Sequence, residues 1–407
     1  MATNLSIEAD VPAHVPPKLV WEHDIDAFAR ELDDPFVAIS RLHDGPELIW
    51  ARGGSRGQPA WVPTRYALIE EVFMDADRFM SGDSNDASQL LGVDWRLNPL
   101  EIDPPAHRAY RQILQPWFQP SAINTLEPMV RSVARELLDA VEAKGRCEFI
   151  EDFASLFPSY IFLALMGLPR EMLPQFLAWE DAFMRAPTMA ERVGAARAIK
   201  DYLEDYAEAR RSDPRDDLVT AILTAKIDGR PLDTGEIMGM LMVLYLGGLD
   251  TVMSSLGWYF RHLADDQALQ ARLRADPAQI PGAVDDLLRA FGVTGTRRTV
   301  TRDMDFHGVT LKAGDWILVP TYLASRDPAA YADPHRIDPA RKGRNLTLAT
   351  GVHNCLGIHL AKREIKVVLE EWLSRFIHIR VPEGETVRWH TDGVWGVNHL
   401  PLTWDAA

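Results

Sequence analysis

The feature that most constrains this chain is a run near its middle. Asp233-Thr234-Gly235-Glu236 is followed by Ile237-Met238-Gly239-Met240-Leu241-Met242-Val243-Leu244-Tyr245-Leu246, ten residues without a charge. Asp233 and Glu236 have the spacing of a capping box, in which each side chain satisfies the other's backbone N–H. A helix from there to Leu263 would be about 45 Å long at 1.5 Å per residue and would cross a whole domain. In its middle stand Gly247-Gly248-Leu249-Asp250-Thr251. Two helical glycines cost about 1 kcal/mol each relative to alanine, so something approaches the backbone closely. A neighbouring helix is the commoner cause. A flat ligand against the helix is the other, and an acid and a hydroxyl side by side in an apolar stretch favour it.

Apolar residues recur at helical spacing through most of the chain, as at 122–142, 189–211 and 234–274. Strand-like pieces are short. They gather at 48–64, read as a hairpin with a Gly-rich turn, and in the C-terminal third. With no repeats and no Gly/Ser linker, the expectation is one mainly α domain over residues 1–407, with small peripheral β-sheets. Two cysteines, Cys147 and Cys355, make no disulfide framework. No segment reaches the roughly 18–20 unbroken apolar residues of a membrane span. The acidic, proline-rich N-terminus lacks a signal-peptide pattern. A cytoplasmic, reducing setting with no membrane contact is expected.

The net charge of −16 argues against nucleic acid as a partner. One stretch runs the other way: Arg341, Lys342, Arg344, Lys362, Arg363 and Lys366 surround a single acid, Glu364. It reads either as a docking face for an acidic partner or as a solvated helix face.

Inside that basic stretch lies Gly351-Val352-His353-Asn354-Cys355-Leu356-Gly357. Cys355 could be a nucleophile, a zinc ligand, a small buried hydrophobe or a haem ligand. No CxxC or spaced His/Cys set supports zinc. His353 and Asn354 are sequence neighbours of the sulfur and would point to different sides of the loop, which weakens the nucleophile reading. Gly351 and Gly357 permit a tight turn with backbone N–H groups aimed at the sulfur. A helix starting near Leu356 would steady a thiolate with its N-terminus. Taken alone, Cys355 still reads as structural.

The order of the landmarks changes that. Gly247–Thr251, then Asp286-Leu287-Leu288-Arg289, Asp338-Pro339-Ala340-Arg341 and Gly351–Gly357 resemble the cytochrome P450 family, closest to its bacterial camphor-hydroxylating branch. The resemblance covers essentially the whole chain, including Asp103–Arg111 and the C-terminal strands. It implies haem b between the long central helix and the cysteine loop, with Cys355 as the axial thiolate that favours O–O cleavage. It also implies Asp250 and Thr251 as the acid–alcohol pair that delivers protons, and Gly247 and Gly248 as room for oxygen and substrate. His107, Arg111, Arg298 and His353 become partners of the haem propionates. Asp286, Arg289 and Arg341 become a buried ion-pair cluster behind the loop.

Two departures stand out. The family's helix pair is usually Glu-x-x-Arg, and Asp286 is one methylene shorter, which puts closure of the cluster and haem retention in question. Leu348 and Ala349 replace the usual Phe and Gly ahead of the loop, which would expose the thiolate slightly. The resemblance further implies a pocket lined by Trp95, Leu97, Val243, Leu246, Val293, Thr294, Val394 and Trp395. Such a pocket suits a compact hydrophobic molecule such as a terpenoid or norisoprenoid ketone, with Trp95 offering its indole N–H. With no flavin fingerprint, electrons would come from a separate [2Fe-2S] ferredoxin and its reductase, docking near Arg111, Arg344, Lys362 and Arg363. The rival expectations are a peroxide-using enzyme of the same fold, a non-catalytic carrier of haem or a hydrophobic ligand, and a cysteine hydrolase.

Overall fold

The capped segment that opens at Asp233 is helical but broken. In the computed structural model, which describes residues 10–82 and 87–407, Asp233 Oδ1 accepts from Glu236 N at 2.8 Å and Glu236 Oε2 accepts from Asp233 N at 2.7 Å. The expectation about an N-terminal signal falls in part on residues 1–9, outside the described ones. The helices that build the site are, in chain order, α1 (His107–Phe118), α2 (Pro120–Glu142), α3 (Leu156–Met166), α4 (Leu173–Arg185), α5 (Met189–Ser212), α6 (Thr234–Gly248), α7 (Asp250–Asp265), α8 (Ile280–Ala290) and α9 (Ile358–Arg375).

One long helix was expected from Asp233 to Leu263; the chain instead interrupts it at Leu249. The glycines lower the cost of leaving helical geometry, and the Thr251 hydroxyl takes the Gly247 carbonyl at 3.2 Å. Ser255 bonds the Thr251 carbonyl in the same way at 2.8 Å. The break coincides with a change of surroundings. Buried residues of α6 join a helical core with Phe162, Phe176 and Leu203, while those of α7 join a second core with Trp258, Trp372 and the sheet. By length and composition Thr234–Asp265 could cross a membrane, although no run in it reaches 18 unbroken apolar residues, and 61% of its most apolar window is buried within the protein.

The main sheet is built from β1 (Val20–Trp21), β2 (Leu48–Ser55), β3 (Gln58–Pro63), β4 (Phe79–Met80), β5 (Gly295–Val300) and β6 (Trp316–Pro320), in the order β1-β2-β3-β6-β5-β4. The expected hairpin is β2–β3. Its turn residues Arg56 and Gly57 both have positive φ, 58° and 74°, the geometry that matches the twist of the strands. Smaller sheets pair Arg388–His390 with Gly396–His399, and Pro401–Ala406 with Phe376–Arg380 and Arg146–Glu148. Cys147 is buried in the last of these, where burial pushes its thiol far up.

Candidate active site

Along α6 and into α7, Val243, Leu246 and Thr251 are half-buried and Gly247 is exposed, while Met242, Leu244, Tyr245, Leu249 and Asp250 between them are buried. Residues at i, i+3, i+4 and i+8 share one helix face. This strip is the one partly open face of a helix otherwise set between two cores. The glycines divide the two roles weighed for them. A Cβ at Gly247 would meet nothing within 4 Å, whereas one at Gly248 would lie 2.3 Å from the Phe162 ring of α3. Gly247 therefore keeps this face open and Gly248 admits a neighbouring helix.

The cysteine loop reaches the same region, because Leu356 and Leu360 pack onto the core that holds α6. Backbone bonds shape the loop: Cys355 N to Leu348 O at 2.8 Å, Asn354 N to Gly351 O at 3.2 Å and Ala349 N to Leu346 O at 2.9 Å. Gly351 has φ +74°, and a side chain there would strike the Phe73 carbonyl. Burial pushes the Cys355 thiol up, opposed by the Gly357 N–H and the Arg111 charge. Ala349 sits at φ 56°, where a Cβ crowds the backbone. Ala349→Gly is expected to raise stability by about 0.5–1 kcal/mol, read as a higher unfolding midpoint.

The four expected propionate partners divide. Arg298 is buried, stands over the Phe73 ring and donates to the Arg297 carbonyl at 2.8 Å. Among the described residues it has no carboxylate within ion-pair distance, and burial lowers it to about 10. His107 is buried with Nε2 lacking any partner. Burial, with His353 and Arg111 adding to it, lowers that imidazole to about 4. Thr296 Oγ1, on β5 two residues from Arg298, is also buried and unpartnered. Such groups are costly in a closed core, and a carboxylate-bearing ligand would satisfy them. Haem fits this donor set. The other two also bond within the protein. His353 Nε2 pairs with Asp103 Oδ1 at 3.2 Å, and Arg111 grips Asn354 through both its carbonyl, at 2.7 Å, and its side-chain oxygen, at 3.0 Å. Arg111 thus braces the cysteine loop.

Asp250 and Thr251 diverge. Thr251 lies on the open strip, while the Asp250 carboxylate is buried in a bidentate pair with Arg185 Nη2, at 2.8 and 2.7 Å. Arg185 Nε also bonds His390 Nε2 at 3.0 Å. Arg185, 65 residues from Asp250 and on α4, was missed in the sequence. The only signal was that a buried acid needs a cation, which names no particular arginine.

The ion-pair cluster closes with the shorter acid. Asp286 and Arg289 are buried, with Arg289 Nε 2.7 Å from Asp286 Oδ1 and Arg341 Nε 2.9 Å from the same oxygen. Asp338 N donates to Asp286 Oδ2 at 2.6 Å. The directed hydrogen bonds of Arg341 go to the carbonyls of Ala332, Asp333 and Arg336. Asp286 reaches its partners directly.

The expected pocket residues also divide. Val243 and Leu246 lie on the strip, Thr294 and Val394 are half-buried, and Leu97 and Val293 are buried. Trp395 is not a pocket wall. It is fully buried, stacked on Tyr322 at 4.0 Å, with its indole N–H on Asp26. Trp95 packs on Gly235 in the first turn of α6, about 18 Å of helix from Gly247. The basic stretch is largely neutralised: Lys362 pairs with Asp285 at 2.7 Å, Arg363 with Glu127, and Arg341 with Asp286. Arg344 remains exposed.

The cytochrome P450 family model matches residues 169–394. A probable cytochrome P450 127A1 of Sinorhizobium fredii is 34% identical over 97% of both chains. An erythromycin C-12 hydroxylase of Saccharopolyspora erythraea is 33% identical over 84% of this chain and 88% of its own. The crystal structure of CYP101J2 superposes with a TM-score of 0.87 at 33% identity, covering 98% of this chain and 100% of that one. A backbone-shaped cysteine loop, an open helix face at Gly247 and buried donors suited to a carboxylate thus occur together in a chain with full-length P450 relatives, and the chain belongs to the cytochrome P450 family of haem-thiolate monooxygenases.

Proposed function

We propose that this monooxygenase hydroxylates a compact hydrophobic substrate, a terpenoid or norisoprenoid ketone of ionone size, with O2 and electrons from a [2Fe-2S] ferredoxin and its reductase. The observation that carries the reading is the strip Val243, Leu246, Gly247 and Thr251, an apolar, partly open helix face interrupted by one hydroxyl. Haem bound through Cys355 supplies oxygen activation. The chain's own residues supply the rest. Val243 and Leu246 hold an apolar substrate and exclude water. The Thr251 hydroxyl donates to Gly247 O, which leaves its own lone pairs free to accept a hydrogen bond from the cavity side. Asp250, adjacent in sequence and anchored to Arg185, is the acid behind it. The ferredoxin would dock where Arg344 keeps its charge free.

The reading is tested by titrating terpenoid ketones into the ferric protein while following the Soret band. A saturable blue shift with β-ionone or a similar ring ketone supports it, and a band that moves with none of them removes the ketone. Absence of a Soret band overturns the haem assignment. Thr251→Ala is expected to lower product formed per electron at least about tenfold, with substrate binding changed little. An unchanged yield would favour the peroxide-using alternative.

A further inference from the structure

Glu180 on α4 is a second buried acid beside Asp250. Their residues are 4% and 2% exposed, and Glu180 Oε1 is shut away from solvent with no hydrogen-bond partner. The charge and the backbone N–H of Asp250 both act on the Glu180 carboxyl. Arg185 acts on both acids, yet none of its hydrogen bonds goes to Glu180: Nη2 serves both oxygens of Asp250, Nε serves His390 Nε2 and Nη1 serves Asp181. Two buried carboxylates beside one guanidinium leave one negative charge unpaired, a cost that a single proton removes.

We propose that Asp250 and Glu180 share one proton and one guanidinium, with Glu180 as the resting holder of the proton and therefore a positioning residue for proton supply through Asp250. In the exchange the Glu180 O–H bond breaks and an Asp250 O–H bond forms, while Arg185 passes from Asp250 to the newly ionised Glu180. The group carries no net charge before or after, so the exchange moves a proton without burying a new charge. The charged and titratable groups that bear on Glu180 are Asp250 on α7, Tyr245 on α6, and Asp181 and Arg185 on its own helix. Burial and the neighbouring Asp250 hold its carboxyl well above the usual range, in keeping with the neutral form.

This rests on the reading of Asp250 as the proton carrier. That reading fails on kinetics, if Asp250→Asn leaves product per electron unchanged. The sharing fails on a spectrum that needs no turnover. Infrared difference spectra of the ferric holoenzyme should show a protonated-carboxyl C=O band, shifted in heavy water, that Glu180→Gln lacks. Asp250→Asn should lose the same band, because Arg185, released from Asp250, takes up Glu180 as a carboxylate. A band unchanged in Glu180→Gln, or one that survives in Asp250→Asn, overturns the proposal. Should the glutamine variant fold poorly, Glu180→Asp is expected to shift the band, and an unmoved band overturns the proposal equally.

Discussion

Cys355→Ala is expected to reduce product formation to background and to abolish the thiolate-type spectrum of the ferrous–carbonyl complex, while the apoprotein unfolds within about 1 kcal/mol of the parent. The two halves of this result have separate causes. The loop is held by backbone bonds at Leu348, Gly351 and Leu346 and by the Arg111 clamp on Asn354, none of which uses the sulfur. Removing the thiol deletes one small group and leaves the loop in place. Only the ligand chemistry is lost. Retained turnover in the alanine variant would remove Cys355 from the mechanism. A large fall in apoprotein stability would return it to the structural role that the residue suggests when read alone.

Asp286→Asn is expected to destabilise the protein by about 3–5 kcal/mol, a large share of the 5–15 kcal/mol that a folded protein has to spare. The aspartate receives Arg289, Arg341 and the Asp338 N–H, and both Asp286 and Arg289 are buried, so neutralising it strands a guanidinium away from water. Asp286→Glu restores the acid usual in the family and is still expected to cost about 1–3 kcal/mol. The aspartate already reaches its partners, and an extra methylene must be forced into a filled site. Chemical denaturation of the three proteins checks the order, aspartate above glutamate above asparagine. A more stable glutamate variant would mean that the cluster is underfilled. Loss of haem should follow the same order, because the segment that Arg289 and Arg341 tie down leads into the cysteine loop.

Much of the molecule was legible in the residues themselves. Helical periodicity located α2, α5 and the α6–α7 region, the Gly-rich turn marked the β2–β3 hairpin, and the ordered landmarks around Gly247, Asp286, Arg341 and Cys355 pointed to one family. These are local signals. A capping box, a period of 3.6 and a glycine that must turn or make room act within a few residues, so the chain states them directly.

What only the tertiary structure decided is where long side chains end. Arg185 meets Asp250 across 65 residues, Arg111 turns onto Asn354 and braces the cysteine loop, and Trp395 is absorbed by Tyr322 and Asp26 where a pocket was expected. The helix break at Leu249 belongs with these, since it falls where one hydrophobic core gives way to the other. An arginine or tryptophan can reach several partners from one backbone position. Packing and the need to pair each buried charge select among them, and that selection is a property of the assembled interior.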